Sequence, residues 1–297
     1  MLSHLIIAIL FLSSALQAMG ADHSDTSLHI EEGRNDARIT DFYAFTRGEN
    51  LVLILAVDPT VPEGATTYKF PTDVEYRINI DNDSEVTAQG IILNKNDIRE
   101  DIVISIRFKD DGTAVINGDN KFGSIFSIPF LVLFSCASSD DVDIVDAITN
   151  FFAGPRDDPF IRGPRIGKNV AAIVLEIPID AVVKNNNPLL IWSTTNVDSF
   201  PGDFQERAGG PITSMLNDVL NFTHPSEDFE NFSIEPDVLV LNTSLPSGFP
   251  NGRVLEDDVV DLVCPGVCDN IIENDEPFPS ENDVPFLDDF PFLAPPN

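Results

Sequence analysis

The stretch VEYRINI, residues 74–80, alternates apolar and polar side chains at every position. Val74, Tyr76, Ile78 and Ile80 fall on one face of an extended chain, and the polar residues between them fall on the other. A period of two is typical of a β-strand that has one face against a core. This stretch therefore predicts a half-buried strand, and it sets the fold class.

The next alternating stretch, residues 102–108, leads into the turn sequence Asp110-Asp111-Gly112. Aspartate and glycine tolerate the left-handed backbone that tight turns need. Residues 113–116 follow as a return strand, so the sequence predicts a hairpin. More continuously apolar runs predict further strands that are covered on both faces. These runs are residues 51–57, 130–134, 170–177, 189–193 and 238–241.

Two short segments have helical periodicity. The first opens at Ser139, a residue suited to capping a helix, and places Val142, Val145 and Ile148 on one face. The second, residues 211–220, has proline in its first turn and an apolar stripe. Together with the strands, these segments predict a mainly β protein. We expect a large β-sandwich-like domain with two short helices and an extended acidic C-terminal arm.

The first 20 residues have the features of a secretion signal. A short apolar core is followed by Ala18-Met19-Gly20. The core is too short to span a bilayer, and the small-x-small sequence is typical of a signal-peptidase site. We therefore predict a signal peptide at 1–20, a β-rich domain at 21–253 and no membrane span. The predicted location is extracellular, or periplasmic or surface-bound in a bacterium.

The C-terminal residues 254–297 carry repeated acids, several Phe-Pro pairs and no lysine or arginine. Proline and charge disfavour regular structure here, whereas the phenylalanine side chains favour burial. We predict an extended arm that packs its aromatic rings onto the β-rich domain. A disordered acidic tail is the alternative.

The charge of the chain is extreme. It contains 49 acidic and 17 basic residues, for a formal net charge of −32. Such a field repels nucleic acid and anionic membranes and attracts cations. We therefore exclude nucleic acid and expect divalent cations or cationic extracellular surfaces as partners, with self-assembly where cations neutralise the charge. Because 43% of the residues are hydrophobic, the chain can still form a packed core.

Four motifs spread along the chain occur together in one family. They are TDFYAF at 40–45, DVEYRINIDND at 73–83, FAGPRDDPF at 152–160 and FPNGRVLEDDVVD at 249–261. With these motifs the chain resembles the secreted domain-of-unknown-function 4331 family over nearly its whole mature length. The resemblance implies that the acidic arm belongs to the domain. It implies no activity and no catalytic residues.

The acidic run DNDSE, residues 81–85, is a candidate calcium loop. Asp81, Asp83 and Glu85 offer oxygen ligands at alternate positions. Calcium takes about six to eight oxygen ligands in flexible geometry, so this pattern suits it. The glycine of the usual calcium loop is absent, and a polar β-turn is the alternative. Calcium is the cofactor that the sequence favours.

Two other candidate sites involve histidine and cysteine. Cleavage after residue 20 would leave Ala21-Asp22-His23 at the new N-terminus. A free amine, backbone amides and a third-position imidazole bind Cu²⁺ or Ni²⁺ in a square plane, so His23 is a candidate ligand. Cys264 and Cys268 flank a Pro-Gly turn, and in a secreted chain this pair predicts a local disulfide.

Sequons of the form Asn-x-Ser/Thr begin at Asn82, Asn221, Asn231 and Asn242. In a eukaryotic source they predict N-glycosylation. A glycan at Asn82 would compete with a metal ion in the same loop. Three of the four sequons fall within residues 221–244, a polar stretch that is typical of a loop.

The chain has no Gly-x-Ser-x-Gly, His-Glu-x-x-His or phosphate-loop motif, which disfavours serine and zinc hydrolases. The sequence favours a non-enzymatic extracellular structural or surface-binding protein that calcium stabilises. A glycosidase-like hydrolase that uses two carboxylates on an extracellular polymer is the alternative. The carboxylate pair in Arg156-Asp157-Asp158-Pro159 is weak support for this alternative, because we predict for it an internal Arg–Asp bridge that pins a loop. A third hypothesis assigns the acidity to solubility in high salt alone.

Overall fold

In the computed structural model, the described residues form two antiparallel sheets that share one apolar core, as in a β-sandwich. The predicted mainly β fold class is confirmed. The described residues are 27–87, 89–119, 124–128, 144–159, 167–210, 220–259, 262 and 281–297. The predicted signal peptide, His23, Cys264 and Cys268 lie outside them.

Eleven strands are described along the chain. They are β1 (Ile39–Arg47), β2 (Asn50–Val61), β3 (Val74–Asp81), β4 (Ile102–Phe108), β5 (Ala114–Asp119), β6 (Ser124–Ile128), β7 (Asn150–Asp157), β8 (Asn169–Pro178), β9 (Leu189–Val197), β10 (Glu206–Ala208) and β11 (Leu239–Leu241). One sheet has the order β1-β2-β8-β7. The other has the order β10-β9-β3-β4-β5-β6, and β11 also pairs with β9.

The alternating stretches form the strands that the sequence predicts. Val74, Tyr76, Ile78 and Ile80 of β3 are all fully buried. Strands β4 and β5 pair as the predicted hairpin. Gly112 in the turn has a φ of +83°, a conformation that side chains with a Cβ rarely adopt. The period-two pattern therefore located the strands, and the sequence Asp110-Asp111-Gly112 located the turn.

The continuously apolar strands are covered on both faces. In β2, Leu51, Leu53 and Leu55 face the core between the sheets, whereas Val52 and Ile54 belong to a second apolar cluster on the outside. Alternate residues of a strand point to opposite faces, so a strand with two covered faces needs apolar residues at successive positions. This requirement explains the apolar runs in β2 and β8.

The described part of the C-terminal arm, residues 281–297, supplies the outer cover of the four-stranded sheet. Phe292 and Leu293 are buried against Tyr43, Phe45 and the outward residues of β2 and β8. The ring of Phe292 meets that of Phe45 edge to face at 6.1 Å. The arm also continues the hydrogen bonding, since Asp157 N donates to Ala294 O at 3.2 Å. These residues therefore pack on the outer face of the four-stranded sheet.

The outer face of the second sheet is covered by a connecting loop. Trp192 and Leu190 of β9 pack with Ile92, Ile98 and Val238. Trp192 is 1% exposed, so the side chain at the centre of this third cluster is buried from solvent. Both sheets of the sandwich therefore have apolar residues on their outward faces, which gives an acidic chain enough buried surface to fold.

The helices are short, and they are α1 (Ser27–Glu31), α2 (Ile144–Ala147), α3 (Ile179–Val182) and α4 (Pro225–Phe232), with 3₁₀ turns at Asn35–Ala37 and Lys95–Asp97. Helix α2 lies within the first predicted helical segment, whereas residues 211–219 of the second lie outside the described residues. Helix α4 was not predicted, because its polar sequence has no broad apolar stripe. Its start is capped by His224, with Pro225 in the first turn.

None of the described helices is both long enough and apolar enough to cross a membrane. The longest of them, α4, has eight residues, whereas a membrane-spanning helix needs roughly 20.

Candidate functional site

The predicted calcium loop lies at the end of β3. Asp81 is fully buried, and its Oδ1 accepts hydrogen bonds from the backbone N–H groups of Asp83 at 3.1 Å and Ser84 at 2.9 Å. Its Oδ2 accepts from Ser84 Oγ at 2.6 Å and from Arg99 N at 3.0 Å. The carboxylate thus closes the turn and joins it to the following loop. Its oxygens already have the partners that a buried carboxylate requires.

The structure brings Asp81 and Asp83 together with Asp101, with one carboxylate oxygen of each within 4.8 Å of the others. Asp83 is ion-paired to Arg99 at 2.5 Å and to Lys184 at 2.8 Å. These two cations hold the pKa of the Asp83 carboxyl below its ordinary value, with Lys184 as the larger cause. A calcium ion bound to this cluster would have to displace them.

Glu85 does not belong to this cluster, although the sequence places it in the candidate loop. Its side chain is exposed, and the group of carboxylates contains Asp101 in its place. Asp101 follows 20 residues after Asp81, and its Oδ2 accepts from Asn82 N at 3.1 Å. Sequence spacing could not identify Asp101, because the loop between the two aspartates folds back on itself.

The four sequons differ in exposure. Asn221 is fully buried, and its Oδ1 accepts from Arg207 N at 3.1 Å. A glycan on Asn221 is therefore incompatible with this fold, because its amide nitrogen cannot reach solvent. Asn82 is half-buried and donates to Val182 O at 2.8 Å. Asn231 is exposed and Asn242 is half-buried, so these two remain the better acceptor predictions.

A cleft that the sequence did not indicate lies beside β7 at an edge of the sandwich. It has a volume of about 560 Å³. This falls within the range of roughly 300–1,000 Å³ for small-molecule sites. Three parts of the chain line it: the loop before β3, the β4–β5 hairpin and strand β7, together with Pro296 of the arm. The aromatic residues of the lining are Tyr68, Phe70, Phe108, Phe151 and Phe152.

The inner wall of the cleft is a stack of rings. Phe70 and Phe108 lie face to face, with their ring centroids 4.2 Å apart and their planes 11° apart. Tyr68 meets Phe70 edge to face at 4.7 Å, and its hydroxyl donates to Asp58 Oδ2 at 2.7 Å. Burial, with the neighbouring Asp58 carboxylate, raises the pKa of Tyr68 far above its ordinary value. The rings of this wall are therefore packed against one another, and Tyr68 remains protonated.

Strand β7 supplies another part of the lining, and Phe152, Gly154 and Arg156 share one face of this strand. The tip of the Phe152 ring leans over Gly154, where a Cβ would lie only 3.1 Å from Cζ. The guanidinium carbon of Arg156 lies 4.0 Å from the centroid of the same ring, a distance typical of cation–π contact. Glycine at 154 thus makes room for a phenylalanine–arginine stack along the strand.

Among the described residues the predicted Arg–Asp bridge is not formed, since Arg156 pairs with neither Asp157 nor Asp158. Adjacent strand residues point to opposite faces, so the side chains of Arg156 and Asp157 diverge. Asp157 turns towards the arm, where it accepts from Asn282 Nδ2 at 2.7 Å and from Asn297 Nδ2 at 2.5 Å. Burial, with nearby Asp283 as a lesser cause, raises the pKa of Asp157 to about 6. Asp157 therefore anchors the arm, and Arg156 is left to the cleft.

Among the described lining residues the cleft has a single carboxylate, Asp111. Its Oδ1 accepts from Thr113 N at 2.9 Å, which fixes its orientation at the rim. Glycosidases of the usual kind need two carboxylates that face each other across the bond they cleave. The described geometry therefore gives the hydrolase alternative no support at this cleft.

A second arrangement resembles a catalytic relay but acts as a helix cap. His224 Nδ1 lies 2.8 Å from Ser226 Oγ, and its Nε2 lies 3.1 Å from Glu100, whose pKa His224 lowers. Ser226 N also donates to Nδ1, and Glu227 N donates to His224 O. These first-turn amides are already bonded and cannot stabilise an oxyanion. The geometry serves the start of α4.

Comparisons with known proteins add little to this description. A scan against protein-family models finds no match, and no curated protein matches significantly. A solved structure from Bacteroides uniformis, described as a candidate carbohydrate-binding protein, is similar over 59% of this chain and 79% of its own. The identity is 12% and the TM-score is 0.23, so neither its fold nor its ligand is transferred to this chain.

Proposed function

We propose that this chain is a non-enzymatic, secreted binding protein of the domain-of-unknown-function 4331 type, and that its aromatic cleft binds a saccharide. The cleft is the observation that carries the proposal. It combines five aromatic rings with two threonines, Asp111 and Arg156. Sites for small molecules are mostly apolar with a few well-placed polar groups, and this lining has that composition.

A saccharide suits the lining better than a purely apolar ligand does. The C–H faces of a pyranose ring are apolar and stack on aromatic side chains, whereas its hydroxyl groups need hydrogen bonds. Phe151 and Phe152 are half-buried, and both belong to the lining of the cleft. Thr66, Thr67 and Asp111 are exposed at the rim and offer the polar partners.

Replacing Phe152 with alanine should weaken saccharide binding at least tenfold, because it removes a stacking ring and releases Arg156 from its position. Binding would be measured on an array of immobilised neutral and acidic oligosaccharides with fluorescently labelled mature protein. Phe229→Ala is the matched control, since the Phe229 ring also lies under a cation, Lys95 at 4.1 Å, but outside the cleft lining. Equal binding by wild type and Phe152→Ala would refute the assignment of this cleft.

Calcium binding at the Asp81, Asp83 and Asp101 cluster is a second candidate property. The observation that favours it is the convergence of three carboxylates, whose charge of −3 is only partly offset by Arg99 and Lys184. A divalent cation bound to the folded state alone stabilises it by mass action. Such a site would support an extracellular structural role.

Calcium chloride should raise the melting temperature of the mature protein above its value in EDTA at matched ionic strength. About 100-fold excess over Kd corresponds to roughly 2.7 kcal/mol. Asp83→Asn should abolish the rise, whereas Asp288→Asn, which removes one charge from an exposed position of the arm, should retain it. An equal rise in sodium chloride would mean that the cations only screen the negative charge.

A further inference from the structure

Arg156 lines the cleft, and no carboxylate of the described residues is paired with it. The arginines Arg99 and Arg107 lie next to acidic side chains, at 2.5 Å from Asp83 and 2.9 Å from Asp198. Among the described residues Arg156 has no such pair, and its contact is the ring of Phe152. The chain has 49 acidic residues, so a half-buried arginine that forms no ion pair with any described carboxylate is unexpected.

The guanidinium of Arg156 is also under-bonded. Its Nε is buried and has no hydrogen-bond acceptor among the described residues. Burial lowers the pKa of Arg156 from its ordinary value, and no charge in the described part of the chain offsets this effect. A partly desolvated charge without a partner destabilises the fold, so a ligand that brings acceptor oxygens to the accessible part of the guanidinium would relieve this cost. A carboxylate matches the guanidinium fork with two parallel hydrogen bonds.

We propose that the cleft selects a saccharide that carries a carboxylate, a uronic acid, and that Arg156 receives this carboxylate. The inference rests on the proposed function, because it names the ligand class of the same cleft. The guanidinium carbon lies 4.0 Å from the centroid of the Phe152 ring, so this contact helps to position the guanidinium. Asp111 lies at the rim and accepts hydrogen bonds from sugar hydroxyls.

The net charge of −32 does not oppose this selection at short range. Charges separated by more than about 8 Å are largely screened at physiological ionic strength. The local sequence also differs from the rest of the chain, since residues 156–168 contain four basic and two acidic residues. The general acidity instead disfavours polyanions that make no contact with the guanidinium, which adds to selectivity.

The test is isothermal titration of the mature protein with trigalacturonate and with its fully methyl-esterified form, which has the same rings but no charge. We expect the acidic ligand to bind about tenfold more tightly, because hydrogen bonds to a charged group are worth that much or more. Arg156→Gln should remove this preference and leave affinity for the ester unchanged. Arg47→Gln is the matched control, since Arg47 also stacks on a ring, Phe292 at 5.4 Å, outside the cleft lining.

Each result separates the two proposals. The inference is supported if wild type prefers the acidic ligand, if Arg156→Gln abolishes this preference and if Arg47→Gln retains it. Equal affinity for the acid and the ester overturns the inference about Arg156 but leaves the proposed saccharide binding in place. A preference for the acid that persists in Arg156→Gln has the same consequence. Binding of neither ligand, and of no saccharide on the array, overturns the proposed function as well. The melting temperature of each variant confirms that it is folded.

Discussion

Replacement of Arg207 by methionine is expected to reduce the free energy of unfolding by about 3–5 kcal/mol, because two carboxylates would lose their buried counter-ion. Arg207 and Asp228 are fully buried and Asp237 is 1% exposed. Arg207 Nη2 donates to Asp228 Oδ1 at 2.7 Å, and its Nη1 donates to Thr223 O at 3.0 Å. The network joins β10 to the loops on both sides of α4.

Urea unfolding followed by far-ultraviolet circular dichroism would measure this loss. Arg107→Met is the matched control, since Arg107 pairs with Asp198 at the surface and should contribute no more than about 1 kcal/mol. Should Arg207→Met fail to fold, Asp228→Asn keeps the shape and removes one charge. Suppose that Arg207→Met and Asp228→Asn each lower the free energy of unfolding by less than about 1 kcal/mol, the value of a surface ion pair. Water would then reach the buried charges of Arg207, Asp228 and Asp237.

Replacement of Arg253 by methionine should cost a similar amount, about 3–5 kcal/mol. Its Nη2 donates to Asp41 Oδ1 at 2.7 Å, and its guanidinium carbon lies 4.1 Å from the centroid of the Tyr43 ring. Asp41 is 1% exposed, so it cannot be solvated once the arginine is lost. Burial also raises the pKa of Tyr43, so its hydroxyl stays protonated in the same group.

The partner variant makes this second prediction specific. Asp41→Asn in the Arg253→Met background removes the stranded charge and should recover part of the loss, giving a favourable coupling energy in a double-mutant cycle. Arg47→Met on the same strand, β1, should change stability little. Additive effects of Asp41→Asn and Arg253→Met would show that the two residues do not form an energetic pair.

The motif at residues 249–261 has a structural explanation in these contacts. A Cβ at Gly252 would collide with the carbonyl oxygen of Ala44, and its φ of +73° also favours glycine. Arg253 N donates to that oxygen at 2.9 Å, which places the guanidinium under Tyr43. Asp257 Oδ2 accepts from Phe249 N and Val254 N, each at 2.8 Å. The motif therefore fastens the segment before the arm to β1.

The strands that were predicted differ from those that were missed in a physical way. Strand β3 alternates because one face meets the core, and β2 is continuously apolar because both faces are covered. Strand β7 was not predicted, since Gly154, Pro155 and Arg156 are poor strand residues. It lies at the end of its sheet order, where pairing with β8 alone is enough.

The candidate sites were predicted less well than the fold. The loop at Asp81 and Asp83 was located, but Asp101 joins it only through a chain reversal. The cleft was missed, although the spacing of Phe152, Gly154 and Arg156 on one strand face could have indicated a phenylalanine–arginine stack. Its other wall could not be inferred, because Tyr68 and Phe70 come from a loop without periodicity.

The sequence by itself determined the β-rich class, the hairpin after β4 and the covered outer faces, because each depends on the order of apolar side chains along a single strand. Only the tertiary structure decided the cleft, because its walls come from segments near residues 68, 111 and 154 that meet only when the two sheets pack. It also decided the partners of the buried charges. Arg253 lies 212 residues from Asp41, and no local pattern relates the two.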